Sequence, residues 1–517
     1  MRITPTLSPY RTTCFVLWIF FLPTVFILPA SNDLFVHAAT LEQLSGNFWN
    51  PKDPMVDEPG LGNPYFSPFM VAWALLMKAT GLDVFVILRM CAIVNLAIFF
   101  GGFGRFIRTL SPNRWASVAS LAAIFFLWGT GFFYWSGFIS FPSLIASMAY
   151  PSTFAVGMGF WLWTWLHKLV NDQDSMRQTI IRTSAIIICG GSVLLSHQFT
   201  ALGICIYAGF YLISRRNRIR RLSVLLLLVI VFAVTCFVLV WPWYSLFGSV
   251  GGAGGFNDVH EALYEDIVKR YALLLIAIPA LLVRFRRNSL DPVVLTVVTC
   301  LALFVYGGIT GNYFLARIFP PVALFSQIAV GIAVVEWLSR KGAMLPNLYA
   351  RIACIGILSG VLFQSGFINL ISPGVYPQTL DARFGSRMSK GNYEWLTEFV
   401  PRGDSVMTAN WDARAMAPAY GIFTVMPAWP DPFLGDREDE RRQDTRDFFK
   451  PGTSLERRHH LMDEYGAKWV IVVQDEAEVL MGDENFVWRA ERPYTGVREE
   501  DLRKGAQQLF EFMPGGK

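Results

Sequence analysis

About eleven stretches of this chain are too long and too apolar to lie on the surface of a water-soluble protein, and they decide what it can fold into. They run over residues 14–28, 84–103, 115–135, 152–166, 180–195, 199–213, 222–247, 271–283, 292–309, 314–338 and 352–371. A helix needs about 20 apolar residues to cross the hydrocarbon layer, and fewer where it is packed or broken. Only 16% of the 517 residues are charged, against about 25% in a soluble domain. The expected fold class is a polytopic α-helical membrane protein. The first run, preceded by Arg2 and Arg11, has the flanks of a signal peptide but a poor cleavage site, and reads as a retained first span.

The cations divide the loops into two sets. With the N-terminus in the cytoplasm, alternate loops carry Arg105/Arg108/Arg114, Lys168/Arg177/Arg182, Arg215/Arg216/Arg218/Arg220/Arg221, Arg284/Arg286/Arg287 and Arg340/Lys341/Arg351. The intervening loops, 31–83, 136–151, 196–198, 248–266 and 311–313, are poor in cations. Cytoplasmic loops collect Lys and Arg. The alternation therefore assigns residues 1–372 to a transmembrane domain of a plasma (inner) membrane, with a long first outer loop at 31–83. Residues 373–517 lie outside the cytoplasm. Two apolar segments are too short to span: 68–78 suits the interface or a re-entrant position, and 137–150 resembles a re-entrant turn. No basic stripe lies outside the loop clusters, which excludes a nucleic-acid partner. The seven cysteines all fall inside apolar segments without a CxxC, and read as small core residues.

Beyond residue 373 helical and extended patterns alternate. Helices are expected at 392–400, 414–420, 437–449 and 455–465, and strands at 405–408, 423–426 and 469–474, the last (WVIVVQ) of the buried kind. This order suggests a small α/β domain. The tail after Asp475 is less legible.

Chemistry is confined to a few polar positions. Asp33 follows the first span directly, and the pattern LFVHAATLEQL places Asp33 and His37 one turn apart on one helix face. Ser31, Asn32 and Asp33 equally suit a helix cap. Arg317 sits about one turn inside an apolar run, where an arginine is costly and faces a bundle interior or a water cavity, unless it snorkels to headgroups. His197 occupies a hinge between two short spans, as a phosphate or sugar contact or as a histidine bonded to backbone. Arg89 is a third cation for a phosphate, with snorkelling or pairing to Asp83 as the other reading. Asp57 and Glu58, with Asp33 and His37, form an oxygen-rich group that suits an acceptor or Mg²⁺ or Mn²⁺. A solvated turn before Pro59 is the plainer explanation. The glycine-rich 248–255 lacks the Lys-Ser/Thr of a P-loop and suits a mobile outer loop or a lid. Trp241, Trp243 and Tyr244 mark an aromatic belt, and His459 and His460 read as surface residues.

Taken together, a first span ending in an acidic motif, a long first outer loop, many spans and an outer C-terminal domain resemble the C-type, multi-spanning glycosyltransferases. LARIFPPVALF (315–325) is similar to the arginine–aromatic–proline stretch of a late span in those enzymes. ANWDARAMAPAYG (409–421) and DEYGAKWVIVV (463–473) resemble their outer α/β domain. The chain departs from the common pattern in having Asn32–Asp33 where many members carry two adjacent acids. The resemblance implies a glycosyltransferase that takes a sugar from a polyprenyl-phosphate donor in a single inverting displacement. The acceptor would be a hydroxyl of a glycan, lipid or protein of the cell envelope. Asp33 would serve as base, and Arg317, His197 and Arg89 as phosphate ligands. Two rivals stand beside it: an oligosaccharyltransferase or glycan ligase using a lipid diphosphate, faintly echoed by Asn410-Trp411-Asp412, and a lipid-linked-sugar flippase or transporter, against which the absence of an internal repeat speaks.

Overall fold

The computed structural model describes residues 8–28, 32–60, 62–171, 175–249, 257–338, 344–365, 393–431, 433–473, 477, 480, 482–493 and 506–514. In chain order the helices are α1 (Pro9–Ile27), α2 (Asn32–Gly46), α3 (Pro68–Thr80), α4 (Val84–Leu110), α5 (Ala116–Phe126), α6 (Phe141–Ser147), α7 (Pro151–Asn171), α8 (Met176–Ser196), α9 (Gln198–Ser214), α10 (Arg221–Leu239), α11 (Leu246–Ser249), α12 (Asn257–Glu261), α13 (Ile267–Tyr271), α14 (Ile278–Arg287), α15 (Pro292–Thr310), α16 (Phe319–Leu338) and α17 (Met344–Ser359). Three further helices, α18 (Trp411–Met416), α19 (Asp436–Phe449) and α20 (Leu455–Glu464), accompany strands β1 (Ser405–Met407), β2 (Phe423–Thr424), β3 (Ala467–Val473), β4 (Phe486–Pro493) and β5 (Ala506–Phe512). Among the described residues seven helices are long and apolar enough to cross a membrane: Pro9–Ile27, Val84–Leu110, Met176–Ser196, Arg221–Leu239, Pro292–Thr310, Tyr313–Leu338 and Asn347–Gln364. The protein is a multi-pass membrane protein.

Contacts divide the chain into two compact units. The first comprises Met1–Leu28, Arg89–Trp241 and Asn257–Thr379. Its centre is the helix over Tyr313–Leu338, whose most apolar window is 83% buried, against 17% for Arg221–Leu239, whose Leu225, Leu228, Val231 and Phe232 are exposed as a lipid-facing surface requires. Gly331 lets α16 lie directly on the backbone of Ser120 in α5, where a Cβ would come within 2.4 Å. Phe106, Trp163, Tyr207 and Phe325 form an aromatic cluster with centroid separations of 4.7–6.3 Å.

Two expected spans are broken. The run 115–135 is helical only over Ala116–Phe126. Beyond it the backbone turns at Gly129, which lies against the carbonyls of Lys269 and Arg270, and the amides of Thr130 and Gly131 both donate to Lys269 O. Irregular backbone is tolerated at such depth when protein satisfies it. The run 271–283 is split into α13, a 3₁₀ turn and α14. The segment 137–150 holds the short helix α6 and is almost wholly buried, and Asn95 Nδ2 donates to the carbonyls of Met148 and Tyr150. The end of the run 352–371 lies outside the described residues beyond Ser365, as does 250–255 of the glycine-rich stretch.

The second unit comprises Pro29–Leu88, Pro242–Phe256 and Leu380–Lys517. Its sheet has the order β2-β1-β3-β5-β4, parallel from β2 to β3 and antiparallel from β3 to β4. Val470, Val472, Leu461, Met462, Phe448 and Phe510 fill its core. The long first loop is part of this unit. Thr424 N donates to Met55 O, Glu42 pairs with Arg402 at 2.6 Å, and Glu58 receives both Arg437 and Arg441 at 2.5 and 2.7 Å. Trp243 is a packing residue rather than part of a belt: it is buried, stacks on Trp49 and donates to Phe48 O. His459 also differs from the surface position expected of it, since it bonds Asp483 at 2.6 Å and packs on the rings of Phe486 and Phe512.

Candidate functional site

Arg317 and His197, 120 residues apart in sequence, meet in the first unit. His197 separates α8 from α9, with φ −157° and ψ 87°, and caps α9, its Nδ1 accepting from Thr200 N at 3.3 Å. The adjacent polar break in two apolar runs is what sets it there. Arg317 lies in the 3₁₀ turn Tyr313–Ile318 that precedes α16, whose Pro320 and Pro321 suit a helix start. Arg317 Nη2 stands 3.0 Å from His197 Nε2, and its guanidinium covers the ring of Phe199 at 5.5 Å. Both residues are half-buried.

They line a cleft of about 570 Å³, counted out to its open mouth, together with Ser136, Gly137, Thr200, Trp128, Trp163 and Gln327. Gln327, fully buried, donates Nε2 to Leu127 O where α5 ends. Gly137 has φ +86°, and a Cβ there would meet His197 Cε1 at 3.3 Å and Arg317 Nη2 at 3.9 Å. Sequence reasoning missed Gly137, because nothing but its place beside the pair separates it from the other glycines.

A neutral imidazole has one nitrogen lone pair. His197 can accept from Thr200 at Nδ1 or from Arg317 at Nε2, but not from both. In the tautomer whose Nε2 accepts from Arg317 the two residues bond each other; in the tautomer whose Nδ1 serves the helix cap, Nε2–H gives up that bond, and an anion between the two would accept from both.

The other expected site residues are placed elsewhere. Arg89 is absent from the lining of the cleft, and its Nε donates to Phe26 O at 2.9 Å in the last turn of α1, where a cation suits the helix dipole. Asp83 instead caps α4, accepting from Phe85 N. Asp33 lies in the first turn of α2 in the second unit, half-buried, where the helix N-terminus favours a carboxylate. His37 is buried one turn on, edge-on to Tyr65, and burial pushes its imidazole down to about 3, so it is neutral at pH 7. Asp57 pairs with Lys52 at 2.5 Å, and Glu58 is taken by its two arginines. Among the described residues no three carboxylate, imidazole or thiol groups converge on a point that would hold a metal ion. With Asp57 and Glu58 held by these cations, the two do not make with Asp33 and His37 the oxygen-rich group that Mg²⁺ or Mn²⁺ takes.

A further carboxylate pair lies in the second unit. Asp53, 2% exposed, accepts from Met55 N, Val56 N and Asn63 Nδ2, and the same amide reaches Asp431 at 3.3 Å. Burial and the charge of Asp53 raise the Asp431 carboxyl well above the ordinary carboxylate range.

No family model and no curated protein matches the chain. Solved structures do. The archaeal oligosaccharyltransferase AglB of Archaeoglobus fulgidus, in complex with an inhibitory peptide and a dolichol-phosphate, superposes with a TM-score of 0.50 at 12% identity over 96% of this chain and 76% of that one. ArnT of Cupriavidus metallidurans, bound to undecaprenyl phosphate, gives 0.49 at 14% identity over 98% of both chains. The likeness to AglB is one of fold. This chain's own fold is one of many apolar helices followed by a C-terminal region built on a five-stranded sheet.

Proposed function

We propose that the chain is a membrane glycosyltransferase that moves a sugar from a polyprenyl-phosphate donor to an acceptor hydroxyl on the extracytoplasmic side of the plasma (inner) membrane. The observation that carries the reading is the Arg317–His197 pair, a guanidinium nitrogen 3.0 Å from an imidazole nitrogen in a cleft walled by tryptophans and prolines. Asp33 takes the proton of the attacking hydroxyl. The hydroxyl oxygen forms the new bond to the anomeric carbon in a single displacement with inversion. The bond from that carbon to the phosphate oxygen breaks, and the electron pair leaves with the polyprenyl phosphate. Arg317 and His197 Nε2–H hold the phosphate as its charge grows. A phosphate leaves without a proton, so the scheme needs no acid catalyst.

The test is transfer from a radiolabelled polyprenyl-phosphate sugar by purified protein in liposomes. Asp33→Asn lowers kcat by at least about a hundredfold, in line with loss of a positioned base. Arg317→Gln lowers kcat/KM by a similar factor. Turnover like wild type from stably inserted Asp33→Asn removes Asp33 as the base. The dolichol-phosphate in the AglB complex supports a lipid phosphate for a chain of this fold. The same likeness supports a second reading, transfer of a preassembled glycan from a lipid diphosphate, which a donor comparison separates.

A further inference from the structure

Arg414 is a buried cation without an acid. It is 8% exposed, and its guanidinium makes one hydrogen bond among the described residues, Nη1 to Pro427 O at 3.0 Å. Its Nε is buried without an acceptor. No carboxylate among the described residues pairs with it, and the charge that reaches it is that of Arg442, which is occupied by Glu438 at 2.5 Å. Burial first, and Arg442 second, push its guanidinium down to about 10, which leaves it charged at neutral pH. A second donor has the same problem: Trp429 Nε1 is buried without an acceptor, two residues from the carbonyl that Arg414 uses. The ring of Trp429 meets that of Trp411 edge to face at 5.0 Å, and Trp411 stands three residues before Arg414 on α18, on the same side of the helix.

A buried charge is retained when something pairs with it, and a guanidinium cannot escape by losing its proton. We propose that Arg414 and Trp429 Nε1 form a binding site for an oxyanion, a carboxylate or a phosphate, carried by a ligand whose apolar face lies on Trp411. The planar fork of Arg414 matches either anion. The indole N–H supplies a further donor at its edge. The tryptophan ring suits the C–H face of a sugar, so the class of ligand is an acidic or phosphorylated glycan. The site belongs to the second unit and does not depend on the transferase reading.

Binding to the full chain in detergent is measured by calorimetry with three probes: inorganic phosphate, methyl glucuronide and the neutral methyl glucoside. Phosphate alone binding identifies a phosphoryl group, and the glucuronide binding more tightly identifies an acidic sugar. The glucoside does not bind. Arg414→Gln weakens the bound anion by roughly thirtyfold or more, the effect of removing one partner of a desolvated charge pair. Trp429→Phe keeps the ring and removes the N–H, and weakens it severalfold. Arg414→Met, in the absence of anion, unfolds at the same temperature as wild type or higher, because an uncompensated charge is gone. The anion raises the unfolding temperature of wild type and not that of Arg414→Met. Failure of both anions to bind wild type overturns the proposal, as does unchanged binding by both Arg414→Gln and Trp429→Phe. Lower anion-free stability of Arg414→Met, with no anion effect on wild type, assigns Arg414 to the fold alone.

Discussion

Gly137 carries a constraint that neither of its polar neighbours announces. Its φ of +86° lies where an L side chain is strained, and a Cβ would press on His197 at 3.3 Å. Gly137→Ala is expected to lower transfer about tenfold or more while leaving the thermal midpoint within a few degrees, as displacement of a positioning contact does. Arg317 and His197 were legible because a polar side chain in an apolar run is conspicuous. Gly137 was not, because a positive φ leaves no mark in one sequence. The Asp53–Asn63–Asp431 group was equally silent, as two acids 378 residues apart give no sign of sharing one amide. Its consequence is a pH dependence of stability. The folded Asp431 carboxyl is raised above its unfolded value, so its contribution is complete below about pH 3.9 and is lost as pH rises towards the folded value. Glu438, which accepts from Asp431 N at 2.7 Å, adds like charge. Asp431→Asn should therefore raise the thermal midpoint at pH 8 relative to wild type and change it less at pH 5. A midpoint difference independent of pH rejects the assignment.

At the level of elements, periodicity found most helices, and the short strands β1, β2 and β3 stand where alternating or buried patterns put them. It missed β4 and β5, whose FVWRAERP and AQQLFEF mix charge into the ladder and follow a break in the pattern. It also joined 116–126 to the residues after it, because hydropathy does not register a glycine turned against a carbonyl. Helix contact sets two expectations. Gly331→Leu forces α16 off the Ser120 backbone, and the protein should fail to run as a single species on size exclusion, whereas Gly331→Ala should be milder. Glu58→Gln removes the carboxylate shared by Arg437 and Arg441 and leaves the buried Arg441 with Val425 O as its remaining backbone acceptor. A loss of about 2 kcal/mol is expected from charged hydrogen bonds of this kind, read by chemical denaturation of the detergent-solubilised protein.

For the whole molecule, composition settled the membrane class, and charge alternation offered an orientation that labelling of single cysteines placed in the loops would check. Chain order did not reveal that residues of the first loop belong to the same compact unit as the C-terminal sheet. Residues 373–517 expressed alone lack Met55 against Thr424, Glu42 against Arg402 and Glu58 against two arginines. That fragment should show little protection from amide exchange, and addition of a peptide covering 29–88 should restore part of it. Full protection in the fragment alone contradicts the shared unit.

The same division imposes a delay during synthesis. The first loop leaves the ribosome about 370 residues ahead of the residues it pairs with, roughly 20–75 s earlier at ordinary translation rates. Through that interval Leu34, Val36, Leu41 and Leu44, all buried in the finished protein, have no strand or helix of the later chain to cover them. Chaperone occupancy should be greatest on nascent chains stalled in this window, and should fall once β3 has emerged.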